Sequence, residues 1–76
     1  MDYREISIQN KGILGGKPII EGTRISVELI LKKLSAGATV ADLLKNYPHL
    51  QDFQVYAALQ YAAAVVANEE IIDSAA

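Results

Sequence analysis

With 76 residues, a formal charge of -2, no cysteine and a single histidine, the chain cannot build a disulfide framework, a thiolate zinc site or an imidazole cluster. One domain of this size buries only about 60% of the surface its unfolded chain exposes, so oligomerisation or a protein partner is the expected support. Residues 1–10 lack the apolar centre of a secretory signal, and no run approaches the roughly 20 apolar residues of a membrane span. The expectation is a cytoplasmic protein without a membrane partner.

The charges are unevenly placed. Residues 1–38 set Arg4, Lys11, Lys17, Arg24, Lys32 and Lys33 against Asp2, Glu5, Glu21 and Glu28, a net of +2, whereas residues 39–76 set Lys45 alone against Asp42, Asp52, Glu69, Glu70 and Asp73, a net of -4. The first half is therefore the better candidate for any surface that meets phosphates, with scattered solvated charges as the alternative.

In chain order, Tyr3, Ile6 and Ile8 nearly alternate with polar residues and predict a strand, followed by short extended pieces at Ile13-Leu14 and Pro18-Ile19-Ile20. Gly15-Gly16 and Glu21-Gly22 punctuate them as turns. The glycine-rich stretch GGKPIIEGTRISV over residues 15–27 does not hold a phosphate: the position five before Gly16 is Lys11 rather than glycine, and Pro18 follows Lys17 where a P-loop needs a hydroxyl. A dinucleotide-binding glycine pattern fails as well. The element predicted over 1–24 is a small β-hairpin or meander, which is marginal alone and must pack on helices or a second copy.

Three helices are predicted over 26–67. Ser26 caps the first, Val27, Ile30, Leu31 and Leu34 give it an apolar stripe, and Gly37 stops it. Thr39 caps the second with Asp42 three residues on, Val40, Leu43, Leu44 and Tyr47 form its stripe, and Pro48 ends it. The third begins near Gln51 or Asp52 and runs to about Ala67, and residues 68–76 form an acidic, small-residue tail expected to fray unless something docks on it. The fold class is mainly α, a short β-element and a three-helix, helix-turn-helix-like bundle.

From Phe53 to Ala67 the polar residues of the third helix are only Gln54 and Gln60, so it is apolar almost all round and wants cover on two sides. The first two helices are expected to cover Phe53, Tyr56 and Ala57, leaving Val55, Leu59, Ala62 and Val66 for an interface; internal packing of the same residues is the alternative. Catalysis has no foundation here. No pair of positioned titratable groups stands out, Glu69-Glu70 point apart on a helix end, His49 lacks a second metal ligand, and Ser26 lacks a base. No enzyme, cofactor, metal or small-molecule substrate is expected.

A helix-turn-helix reads DNA with the start of its last helix, here Gln51, Asp52 and Gln54. Glutamine reads adenine, but Asp52 repels phosphate and the third helix carries no lysine or arginine. Phosphate contacts fall instead to Lys11, Lys17, Arg24, Lys32 and Lys33, and dimerisation would double them. Arg24 has a competing structural role, pinning the Gly-Thr-Arg turn through Glu21 or Glu28.

Positions 15–63 resemble the family known as domain of unknown function 433, whose hallmarks are a GGKP-x-I-x-GTRI-x-V stretch, a YPHL turn and a D-x-x-x-A-A-L-x-Y-A helix. Gly16, Lys17, Pro18, Gly22, Thr23 and Arg24 match the first motif, and Tyr47, Pro48, His49 and Leu50 match the second. Members commonly place threonine after the YPHL turn as a helix cap, where this chain has the weaker capping residue Gln51. The resemblance implies a homeodomain-like or winged-helix-like fold and an antitoxin of a type II toxin-antitoxin pair, which would block a neighbouring PIN-like ribonuclease and repress its own operon as a complex. A protein-binding module without DNA binding, and a stand-alone helix-turn-helix regulator, are the two other readings.

Overall fold

The computed structural model describes the backbone of residues 2–9 and 17–75 and the side chains of 2–9 and 17–67. In order, it forms α1 (Arg4–Ser7), β1 (Ile8–Gln9), β2 (Ile19–Ile20), α2 (Val27–Ser35), α3 (Val40–Asn46) and α4 (Asp52–Ala75). The domain is mainly helical with a short antiparallel strand pair, as the sequence predicts.

The helix boundaries follow from local chemistry. Ser26 Oγ accepts the Leu29 amide at 3.0 Å and opens α2. At the far end the Gly37 amide donates to the Leu34 carbonyl and the Ala38 amide to that of Lys33. This double closure is the Schellman arrangement, and its turning residue, Gly37, sits at φ +101. Two residues later Thr39 and Asp42 exchange side-chain and backbone hydrogen bonds at 2.9 and 3.1 Å, a complete capping box that starts α3. The YPHL turn closes α3 through the Tyr47 amide on Leu43 and carries the buried Leu50 back into the core.

The amino-terminal segment departs from prediction. The expected strand over Tyr3–Ile8 is instead the helical turn α1, leaving only Ile8 and Gln9 extended. The cause is Asp2, whose carboxylate accepts the Arg4 amide at 2.9 Å and grips the Arg4 guanidinium at 2.7 and 3.0 Å. A local side-chain turn of this kind outcompetes a strand ladder. Ile6 is 66% exposed, and Ser7 is fully buried. Tyr3 then lies beside Phe53 and Tyr56 of α4, with ring centroids 5.9 and 6.2 Å away, and its amide donates to Gln60 Oε1.

Strands β1 and β2 pair Ile8 with Ile20 and Gln9 with Ile19, and Ile19 also bridges Ser26. The expected extended piece at Ile13-Leu14 and the turn at Gly15-Gly16 lie outside the described residues. The core gathers Ile20, Val27, Ile30, Leu43, Leu50, Val55 and Ala58, drawn from β2, all three longer helices and the YPHL turn. Helix α4 continues to Ala75, past the predicted end near Ala67.

Two substitutions test this account. Thr39→Ala removes the capping box and Gly37→Ala forces a side chain into positive φ, and each is expected to lower the unfolding free energy by about 1 kcal/mol in urea titrations. Ser7→Ala removes a buried hydroxyl that has no hydrogen-bond partner among the described residues. It is expected to leave stability unchanged or raise it, and a loss of more than about 1 kcal/mol would show that the hydroxyl is paired.

Candidate functional site

Helix α4 supplies the surface that most needs explaining. One face enters the core through Gln54, Val55, Ala57 and Ala58, all buried. Val55, assigned to an interface from sequence, is therefore interior: it has no exposed surface and packs with Ile20, Ile30 and Leu43. Tyr56, expected under the first two helices, faces outward beside Tyr3. Leu59 and Val66 remain 43% and 58% exposed, Val65 is also exposed, and Ala62 is half-buried.

Where α4 leaves the core, it forms with α2 an apolar groove of about 580 Å³, whose walls include Val27 and Leu31 on one side and Tyr61, Ala62, Val65 and Val66 on the other, with Pro18 at its border. Glu28 and Lys32 line the same groove. Glu28 binds the Lys17 ammonium at 2.9 Å and the Lys32 ammonium at 3.2 Å. These two cations, Lys17 first, hold the Glu28 carboxyl below its ordinary value. One carboxylate between two ammoniums leaves this rim with a surplus of positive charge.

The candidate DNA contacts do not converge on one reading head. Lys17 and Lys32 meet at Glu28, while Lys33 and Arg24 are exposed. Arg24 makes no hydrogen bond or ion pair among the described residues, contrary to its expected role with Glu21 or Glu28. Thr23 pins that turn instead: its hydroxyl donates to the Ile20 carbonyl at 2.8 Å and accepts the Ile25 amide at 3.0 Å. Gln51 is exposed at the start of α4, and its amide donates to Gln54 Oε1 at 2.9 Å. Gln54 is thus a buried cap of α4 and not a base reader. Lys11 lies outside the described residues.

The fold also brings the two sequence motifs together. Gly22, Thr23 and Ile25 from the first and Tyr47, Pro48 and His49 from the second, with Asn46, line a shallow cleft of about 260 Å³. Gly22, at φ +77, makes the turn that delivers the first motif there. Among the described residues no three His, Cys, Asp or Glu side chains are grouped to hold a metal ion. No helix of the described residues is long and apolar enough to cross a membrane.

A family model described as "Protein of unknown function (DUF433)" matches residues 8–62, a span that includes β1, β2, α2, α3, the YPHL turn and the core-facing half of α4. The chain belongs to the DUF433 family. A relative, "Uncharacterized protein y4eO" of Sinorhizobium fredii (strain NBRC 101917 / NGR234), is 36% identical over 61 residues, covering 80% of this chain and 28% of that protein. The chain thus corresponds to less than a third of that relative's length. No solved structure matches significantly. Within this DUF433 domain, Thr23 ties the turn of the matched GTRI motif and Leu50 anchors that of YPHL in the core, whereas Arg24 and His49 of the same motifs are exposed.

Two measurements check the site. Val55→Asp is expected to abolish folding and Leu59→Asp to leave the helical circular dichroism intact, because only the first charge is forced into the core. The lowered folded-state value of Glu28 means that its pairs add stability above the ordinary value of 4.5 and lose it as pH falls through the lowered one. Lys17→Ala is expected to move the Glu28 carboxyl resonance titration upward toward the ordinary value, and an unchanged midpoint would contradict the pairing.

Proposed function

We propose that this DUF433 domain is a non-enzymatic, antitoxin-like regulator whose α4 docks and blocks a small PIN-like ribonuclease in the cytoplasm. The observation that carries this reading is the apolar surface α4 leaves open: Leu59 and Val66 in the water, with Val65 beside a groove floored by Leu31. A short chain does not spend water-exposed apolar area on the outer side of its longest helix without a use for it, and rimmed apolar patches of this kind are typical of protein interfaces. Self-association belongs to the same reading.

Operator DNA takes second place in it. The buried Gln54 and the absence of any lysine or arginine from α4 leave that helix without a basic reading end. Phosphate contacts are assigned to Arg24 and Lys33, which are exposed and unpaired among the described residues, and they come into play in the complex rather than in the lone domain. These two observations favour the protein-binding module as the runner-up and weigh against a stand-alone transcription regulator.

The test is co-expression with a ribonuclease encoded beside the gene. An equimolar complex with suppressed nuclease activity is expected, and Leu59→Arg is expected to weaken it at least about tenfold while circular dichroism stays unchanged. Unaltered affinity in that variant would remove α4 from the interface. With DNA from upstream of the gene, Arg24→Ala is expected to lower the salt slope of the complex by about one.

A further inference from the structure

We propose that the groove between α2 and α4 receives the carboxy-terminal end of α4 from a second copy of the chain, joining two domains antiparallel along their last helices. This rests on the reading of α4 as a protein-docking helix and names the occupant of one of its open faces.

Length gives the first argument. Helix α4 has 24 residues, roughly 36 Å at about 1.5 Å per residue, and the domain measures 44 Å along its long axis against 28 and 25 Å across. The groove uses α4 only at Tyr61, Ala62, Val65 and Val66. Everything after Ala67 continues the same helix away from that wall, and a continuous helix cannot turn back into a groove built by its own middle. Another copy's helix end is free to do so.

Chemistry gives the second. Residues 68–75 read Asn-Glu-Glu-Ile-Ile-Asp-Ser-Ala, a pair of isoleucines among three carboxylates with no cation. The groove offers the complement: apolar walls and a rim where Lys17 and Lys32 share the single carboxylate of Glu28, with Lys33 next on α2. Acids are also the wrong charge for a helix carboxy terminus, whose dipole is negative, and the last turn of α4 contains no basic residue. Cations from a second copy relieve that repulsion.

Sedimentation equilibrium of the purified chain tests this directly. Twice the chain mass of 8.2 kDa is expected at about 100 µM, a concentration at which a dimer of micromolar Kd is nearly complete. Ile72→Asp is expected to give a monomer with unchanged helical signal. Lys32→Glu is expected to weaken the dimer at least tenfold, and adding Glu69→Lys and Glu70→Lys to the same chain is expected to restore it, roughly as charge reversal at a contact does. A wild-type monomer at that concentration, or a dimer indifferent to both Ile72→Asp and the charge reversal, overturns the self-docking. The ribonuclease titration of Leu59→Arg separates the two ideas: lost affinity there with a monomeric wild type leaves the protein-docking helix standing and removes only the second copy from the groove.

Discussion

Between Phe53 and Ala67, α4 is apolar around nearly its whole circumference, and the elements folded against it can cover only part of that surface. The rest of the domain is arranged to meet this demand. Helices α2 and α3 and strand β2 take the face that carries Val55 and Ala58, and Tyr3 reaches across from the amino-terminal segment toward Phe53 and Tyr56. What they cannot reach is the outward side of Leu59 and, further along the helix, Val65 and Val66, which stay in contact with water. Burying such side chains is worth about 25 cal/mol per Å², so a partner on this strip gains what the chain itself cannot.

The two motifs that mark the family contribute to this arrangement from a distance. Thr23 ties the turn between β2 and α2 with two hydrogen bonds, and Gly22 supplies its positive φ, so β2 and the start of α2 arrive together. The YPHL turn ends α3, buries Leu50 and leaves Gln54 to cap α4 over the Gln51 amide. Both motifs thereby aim α2 and α4 so that an apolar groove opens between them, with Lys17 and Lys32 placed at its edge by Glu28.

Much of the helical frame was legible in the sequence because its signals are local. Ser26, Gly37 and the Thr39–Asp42 pair act within one turn, so residue type and spacing are enough to place α2 and α3. The strand predicted over Tyr3–Ile8 gives way because the Asp2–Arg4 turn is also local and competes with the alternation. The faces of α4 were hard to read for a different reason. A helix that is apolar all round has no preferred phase, so nothing in its pattern separates the interior Val55 from the exposed Tyr56. The role of Gln54 has a sequence signal, a glutamine three residues after the capping position Gln51, which the base-reading expectation passes over. The turn expected of Arg24 is held instead by the hydroxyl of its neighbour Thr23 together with the backbone bonds between Ile20, Thr23 and Ile25.

The central claim is that the outer strip of α4 is a docking surface. The most direct measurement is methyl resonance quenching by a soluble paramagnetic probe, read at Leu59, Val65, Val66 and Val55, before and after addition of one equivalent of the proposed ribonuclease partner. The account requires, in the free chain diluted below its self-association, strong quenching at Leu59, Val65 and Val66, loss of that quenching in the complex, and a shielded Val55 throughout. Equal quenching of Leu59 and Val66 with and without a stoichiometrically bound ribonuclease would contradict it.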